Sequence, residues 1–344
     1  MLLAMTAVPS SPDSPRPTLA WLAPDQAELA EGIARHAGLS IDLVGCSDAE
    51  KSGAAADLAK ALGAEPTDDL RSALASSGIE IVLIGSITPD ESEHTLLAPD
   101  VLRGLNQNGV RVFSMAPPPG RIGDPGQSFT SGPGPIEMVP MLRRSPGFRE
   151  ALTALESFGD IRTVAISARC GSARGTLGAR LVDAMDAALA LLGEPDSIDA
   201  SIGAPTTSTP QPETLLELRG DCSALLRYGE GRSTSISLTD QAGRWFRGVT
   251  VLGEKGCLRI EDDAFEWIDP EGEAIERSQR PEDGADPARI IGEAIVRRLT
   301  GVTQPEDPRS RLRAIGMAEA AALSARTGQA ESPAKLLHLA GLTV

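Results

Sequence analysis

The sequence predicts an α/β protein with two domains: an N-terminal domain on a parallel sheet and a C-terminal α/β domain on a large, mainly antiparallel open sheet. Short apolar strands alternate with amphipathic helices over the first third of the chain, which is the pattern of βαβ units. After residue 195, strand candidates follow one another, separated by glycine-bearing turns such as GEKG. The 344 residues suit two cores, because a domain has about 150 residues.

The N-terminal elements follow from apolar spacing and end signals. The run IEIVLIGS at 79–86 predicts the strongest strand, since it is apolar nearly throughout and suits a strand buried on both faces. Residues 25–38 predict an amphipathic helix with Asp25 as N-cap and Gly38 as its end. Further strands are predicted at 18–23, 40–48 and 110–114, and further helices at 54–63 and 99–108.

The C-terminal part contains more strands than helices. Helices are predicted at 147–159, 176–192, 287–300 and 309–327. Strands are predicted at 135–141, 162–170, 197–203, 214–220, 222–229, 233–240, 246–253, 256–262 and 264–269. Proline and glycine clusters divide the chain into a disordered tail (1–17), the parallel-sheet domain (18–120), a Gly/Pro-rich loop (121–135) and the open-sheet domain (136–344).

The composition excludes several classes of protein. A net charge of −16 argues against nucleic acid or an anionic membrane as a partner, because their phosphates would be repelled. Only three histidines are present, so an imidazole-based metal site is not expected. The four cysteines are dispersed and form no CxxC pair, which indicates a reducing, cytoplasmic location. The apolar start MLLAMTAV is too short to span a membrane.

Four stretches of the chain carry a family resemblance. They are DDLRSALASSGIEIVLIGSITP at 68–89, GVRVFSMAPP at 109–118, RRSPGFREALTALESFGDIRTV at 143–164 and VDAMDAALALLGEP at 182–195. In this order and at these separations they resemble the A-T-P segment, the E-K-P motif, the R-x-x-P segment and the H-x-x-D helix of the Gfo/Idh/MocA family. Members of that family pair a Rossmann domain with an α/β domain on a large open sheet. The N-terminal domain is therefore expected to be Rossmann-like.

The resemblance also implies a function. It implies NAD or NADP as cofactor, a small sugar, cyclitol or polyol as substrate, and a homo-oligomer that forms through the C-terminal sheet. It places the cofactor-binding positions at Ala23, Asp48, Thr88, Pro89 and Ala116.

The first βα turn departs from the family's G-x-G-x-x-G motif, whose glycines let backbone amides approach the pyrophosphate. Here the turn reads AWLAPDQ and has no glycine before Gly32. Pro24 removes an amide donor, and Asp25 brings a carboxylate to the place of the diphosphate. Two like charges about 4 Å apart repel by about 4 kcal/mol at an effective dielectric constant of about 20. We therefore expect dinucleotide binding to be weakened or lost.

The two side chains that share the substrate proton in the family are replaced as well. Ala116 stands at the place of the E-K-P lysine, and Asp183 at the place of the H-x-x-D histidine, while Asp186 keeps the aspartate position. His94 lies in the loop that follows the A-T-P position. Asp183, Asp186 and His94 are therefore the candidate catalytic residues.

These candidates also have structural interpretations. Asp183 and Asp186 lie one helical turn apart, so they are either an acid–base pair or an ordinary polar face with Arg180 as a salt-bridge partner. His94 belongs either to the active site or to a surface loop. Asp48 either binds the ribose or serves as a turn residue.

Two functions from different classes fit these observations. The first is an NAD(P)-dependent oxidoreductase with altered catalysis, in which the three candidate residues replace the usual acid–base pair. The second is a non-catalytic binding or scaffolding protein that retains the oxidoreductase fold. A free set of amides in the first βα turn would favour the first function.

Overall fold

The computed structural model describes residues 15–47, 53–75, 78–91, 98–118, 122, 136–203, 213–278, 285–303 and 307–342. Its N-terminal part is a six-stranded sheet in the order β3-β2-β1-β4-β5-β6. The strands are β1 Arg16–Leu22, β2 Leu39–Cys46, β3 Glu65–Pro66, β4 Ile81–Ile84, β5 Arg111–Ser114 and β6 Ile136–Met138. Every pair is parallel, which makes this the strand order of a Rossmann fold.

Helices cover this sheet on both faces. They are α1 Ala27–Ala37, α2 Ala54–Leu62, α3 Leu70–Leu74, α4 Pro89–Glu91 and α5 Pro99–Gln107. β4 is fully buried, as its unbroken apolar run predicts. Gly38 and Gly63 end α1 and α2 in the left-handed conformation, which favours glycine at a helix end.

The C-terminal part is an eight-stranded sheet in the order β14-β13-β12-β11-β7-β10-β9-β8. Its strands are β7 Ile161–Gly171, β8 Ser197–Gly203, β9 Asp221–Arg227, β10 Ser233–Thr239, β11 Gln241–Gly253, β12 Gly256–Glu261, β13 Phe265–Ile268 and β14 Ala274–Arg277. β7 and β10 pair in parallel, and the other neighbours are antiparallel.

Five helices accompany this sheet: α6 Pro146–Phe158, α7 Leu177–Leu192, α8 Pro287–Leu299, α9 Pro308–Thr327 and α10 Pro333–Leu339. α6, α7 and α9 pack against one face of the sheet, whereas α8 returns to the first domain and packs on α1. The opposite face stays open, because side chains of β9 alternate strictly between buried and exposed.

The predicted fold class is confirmed, and three local predictions need correction. Residues 214–220 were expected to form a strand but contain a 3₁₀ helix, Leu215–Glu217, because Thr214 and Glu217 form a capping box that favours a helical turn. The N-cap of α1 is Gln26, not Asp25, which is exposed. β1 begins at Arg16 rather than at residue 18.

Other features lie beyond what the sequence patterns indicated. β14 and α10 were not expected, since both are short. β6 joins the first sheet although its residues belong to the segment assigned to the second domain. Most of the predicted tail and of the Gly/Pro-rich loop lies outside the described residues. Within the described part of the chain, no helix is long and apolar enough to cross a membrane.

Candidate functional site

The carboxyl edge of the parallel sheet is where doubly wound folds bind their ligands. Three of the predicted cofactor positions follow strands that end at this edge: Ala23 follows β1, Thr88 follows β4, and Ala116 follows β5. Pro89 begins α4 directly after Thr88. Asp48 and His94 lie outside the described residues.

The first βα turn is closed by a side chain of its own. Gln26 is 2% exposed, and its Oε1 accepts a hydrogen bond from the backbone N–H of Ala23 at 2.8 Å. The N–H of Gln26 donates to the carbonyl of Ala23 at 3.1 Å, so the turn folds back on itself. Pro24 has no N–H to offer. Asp25 is exposed beside these groups.

The Gln26 amide also reaches out of the turn. Its Nε2 donates to the carbonyl oxygen of Gly85 at 3.2 Å and to that of Ala173 at 2.9 Å. Gly85 directly follows β4, and Ala173 belongs to a short 3₁₀ helix after β7 in the second domain. Gln26 thereby crosses the groove between the domains at the level of the first turn.

These residues do not fit a dinucleotide in the usual pose. A pyrophosphate at this turn needs backbone N–H groups and a close approach to the helix start. Here the Ala23 N–H is bound by Gln26, Pro24 lacks an N–H, and the carboxylate of Asp25 adds a negative charge.

The turns after β4 and β5 are likewise occupied by internal hydrogen bonds. Thr88 donates its N–H and its hydroxyl to Glu91 Oε2 at 2.9 and 3.0 Å, as in a helix cap. Ala116 is buried, and its N–H donates to the hydroxyl of Ser114 at 3.2 Å. The alanine at position 116 carries no titratable group.

Asp183 lies at the centre of a buried ion network. Its Oδ1 accepts the backbone N–H of Leu142 at 2.6 Å, and its Oδ2 accepts Arg247 Nη1 at 2.7 Å. Arg180 Nη1 lies 3.8 Å from the same Oδ2. Arg247 also binds Asp262 through Nε at 3.0 Å and the Pro140 carbonyl through Nη1 at 2.8 Å.

An aromatic ring packs against the arginines of this network. The Trp245 ring lies between two guanidinium groups, that of Arg180 at 4.4 Å and that of Arg247 at 5.2 Å, and its Nε1 donates to Asp262 at 2.9 Å. Burial disfavours the charge on Arg247, but the facing carboxylates of Asp262 and Asp183 more than offset this and raise the pKa of Arg247. The guanidinium therefore stays charged.

Asp186 has a different neighbour, although it lies on the same helix α7. Its Oδ1 is 3.3 Å from Nη1 of Arg143, whose side chain is 38% exposed. Asp183 and Asp186 are thus both buried and both next to arginine. A catalytic role for either stays a prediction.

The start of α7 packs closely against two loops, one containing Leu215 and the other Pro117. A Cβ on Gly178 would lie 1.9 Å from the carbonyl oxygen of Leu215 and 3.3 Å from Pro117 Cγ, so only glycine fits between these two loops. Leu216 follows in the 3₁₀ helix and is buried in the core of the first domain, beside Trp21 and Ala116. At this edge, Leu216 of the second domain is therefore part of the core of the first domain.

Sequence reasoning missed Gln26 and Arg247, the two side chains that organise these contacts. Gln26 could have been singled out from the sequence, because it lies directly before α1, where the family's motif has small residues and glycines. The sequence gives little indication of the role of Arg247, since its partners Asp183 and Asp262 are 64 and 15 residues away. Among the residues that the structure describes, no group of histidine, cysteine, aspartate or glutamate could hold a metal ion.

Comparison with known proteins supports the fold only. No protein-family model and no curated protein sequence matches the chain. A levoglucosan dehydrogenase in complex with NADH and L-sorbose aligns with a TM-score of 0.65 and 16% identity, covering 92% of this chain and 99% of that one. The WlbA dehydrogenase from Chromobacterium violaceum, in complex with NADH and UDP-GlcNAcA, aligns with a TM-score of 0.62 and 19% identity over 95% and 99% of the two chains.

A putative myo-inositol dehydrogenase from Sinorhizobium meliloti aligns with a TM-score of 0.57 and 18% identity over 92% of this chain and 99% of that one. These neighbours are oxidoreductases of the Gfo/Idh/MocA type. The resemblance that the four sequence stretches indicated is therefore confirmed at the level of the fold.

Proposed function

We propose that this chain keeps the fold of a Gfo/Idh/MocA-type oxidoreductase without its hydride-transfer chemistry, and that it acts as a binding or scaffolding protein. The observation that carries the proposal is the state of Asp183. Its carboxylate stands at the place of the family's histidine, yet both oxygens are engaged, one by the Leu142 N–H and one by the Arg247 guanidinium. The carboxylate is 3% exposed and both of its oxygens are bound by groups of the chain itself, so it is not presented to a substrate.

The first βα turn supports the same proposal. A dinucleotide that entered it would have to displace Gln26 from three hydrogen bonds and approach the carboxylate of Asp25. Both changes weaken NAD or NADP binding, which a hydride-transfer enzyme cannot do without. Weakened or lost dinucleotide binding is therefore part of the proposal.

The open sheet face offers a surface for the scaffolding role. A row of short side chains, Ser201, Ser223, Ser237 and Ser167, crosses four adjacent strands in register. Leu225 and Leu252 are exposed on the same face, at 36% and 44%. Such a flat face suits packing against another sheet, so we propose that the protein forms a homo-oligomer through it.

Light scattering on a sizing column tests this oligomer. The full chain is expected to run as an oligomer, and the double variant Leu225→Glu/Leu252→Glu as a monomer, because four or more buried carboxylates would face each other across the interface. Leu152→Glu, a change at a 39% exposed leucine on α6, is the matched control and should leave the oligomer intact. A monomeric wild-type chain, or an unaffected double variant, would contradict the scaffold.

The second candidate is a sugar or polyol dehydrogenase with altered catalysis. It is favoured by the fold shared with neighbours whose solved complexes contain NADH and a sugar. A turnover screen with NAD⁺ and NADP⁺ over polyols and sugars separates the two candidates. We expect no reduction of either dinucleotide; turnover that Asp183→Asn or Asp186→Asn abolishes would establish the dehydrogenase instead.

A further inference from the structure

The side chain of Gln26 joins three segments that are far apart in the sequence. Its Oε1 binds the N–H of Ala23 in the first turn, and its Nε2 binds the carbonyls of Gly85 after β4 and Ala173 in the second domain, at 2.8, 3.2 and 2.9 Å. The amide nitrogen has two N–H donors, and each has an acceptor. The hydrogen-bonding capacity of this buried side chain is therefore used almost completely.

The surroundings are shaped to this side chain. A Cβ on Gly85 would lie 2.4 Å from Gln26 Oε1, so the residue after β4 must be glycine for the glutamine to reach both carbonyls. Gln26 is also the residue whose carbonyl accepts the first hydrogen bond of α1, from Ala30 N–H at 2.9 Å. The helix start therefore fixes where the side chain begins, and the two carbonyls fix where it ends.

The polarity of the contact is specific. Two carbonyl oxygens face Nε2, and one N–H faces Oε1, which only a side chain with donors at one end and an acceptor beside them can satisfy. A glutamate of the same shape would keep the Ala23 contact and set a carboxylate oxygen against the carbonyls of Gly85 and Ala173. Such a buried acceptor–acceptor contact is unfavourable.

We propose that Gln26 is a built-in tie between the two domains: it joins the second domain to the first turn and to β4, and it keeps the groove between them closed. In a Rossmann protein the ligand binds in the crevice outside the carboxyl ends of the strands, next to the first turn. Here one side chain of the chain itself makes all three contacts. The inference does not depend on the scaffolding role, because it concerns only how the groove is held.

Hydrogen–deuterium exchange on the full chain tests the tie. We compare wild type with Gln26→Glu and Gln26→Ala, and follow segments 20–27, 82–88 and 170–177. Each variant loses both donors, so exchange in all three segments is expected to rise at least about tenfold, the effect of about 1.4 kcal/mol. Segments 222–226 and 234–238, on β9 and β10, should not change. Gln329→Glu, at an exposed position after α9, is the control and should behave as wild type.

Each possible result either supports or overturns the tie made by Gln26. Faster exchange confined to the three segments supports the tie, whereas unchanged exchange, or an equal rise that includes β9 and β10, overturns it. The wild type gives a second measurement should a variant fail to fold: the Ala23 amide must be protected, since Gln26 Oε1 is its bonding partner, and rapid exchange there would also overturn the proposal. NADH binding to the wild type would refute the proposed function yet leave these exchange results standing.

Discussion

A single carboxylate shows how context decides the role of a residue. From the sequence, Asp183 is either an acid–base group or part of a polar helix face with Arg180 as its partner. The structure pairs it with Arg180 at 3.8 Å but also with Arg247 at 2.7 Å, and it buries all three side chains. The sequence could predict the first pair, because the residues are one turn apart on α7. It could not predict the second, which depends on where β11 lies against α7.

Replacing this carboxylate should cost stability. Asp183→Asn leaves the buried charge of Arg247 with one carboxylate fewer, so we expect the free energy of unfolding to fall by about 3 kcal/mol. Urea unfolding measures the change. Asp199→Asn, at an exposed position on β8, is the control and should stay within about 0.5 kcal/mol of wild type. A similarly small effect for Asp183→Asn would show that this carboxylate is not part of a buried pair.

At the scale of elements, the chain's helices and strands were predictable where a pattern repeats. β4 follows from an unbroken apolar run, and α7 from a threonine cap at Thr176 and regular apolar spacing. The strand predicted at 214–220 is wrong; its leucines are typical of a strand, and the prediction was based on them. Thr214 and Glu217 form a capping box there, which favours a helical turn. Leu215 and Leu216 are buried in separate cores, and a strand with alternating faces could also have buried them in this way.

The contact between this 3₁₀ helix and α7 is predicted to depend on Gly178. A methyl group there would collide with the Leu215 carbonyl, which is backbone and cannot move aside alone. We expect Gly178→Ala to lower the free energy of unfolding by about 2 kcal/mol and to expose Leu216. The measurement is urea unfolding combined with limited proteolysis at residues 213–220.

Gly104→Ala is a control of opposite sign for this test. Gly104 lies within α5, and a Cβ on it meets no atom within 4 Å. Alanine should therefore stabilise the helix by about 1 kcal/mol. If Gly178→Ala stabilised the protein to the same extent, the close approach of α7 to the 3₁₀ helix would be refuted.

At the scale of the molecule, the two-domain fold was predictable, and the state of its groove was only partly so. The alternation of strands and helices predicts a parallel sheet, since βαβ crossovers are right-handed and short, but it does not predict the order of the strands. The missing glycines, lysine and histidine predict weakened or lost dinucleotide binding and altered catalysis. Two contacts are found in the groove instead: the hydrogen bond from Gln26 to Ala173 and the burial of Leu216 in the first domain. Both depend on how the two domains meet. No local pattern in the chain carries that information.

The groove has a direct consequence for cofactors. A dinucleotide must compete with contacts that the chain makes within itself, and each buried hydrogen bond that it breaks must be replaced. Asp25 adds repulsion near the diphosphate. The variant Asp25→Gly removes only the second effect, so it should raise NADH affinity less than the double variant Asp25→Gly/Gln26→Gly, as measured by calorimetric titration.

Titration of the wild-type full chain with NADH and with NADPH, followed by calorimetry, tests the account most directly. Closure of the first βα turn by Gln26 predicts no saturable binding up to about 1 mM, which corresponds to a binding free energy weaker than about −4 kcal/mol. A sugar dehydrogenase of the same fold, titrated alongside, shows that binding would be detected. A saturable isotherm for this chain with a low micromolar dissociation constant would contradict the proposed loss of dinucleotide binding.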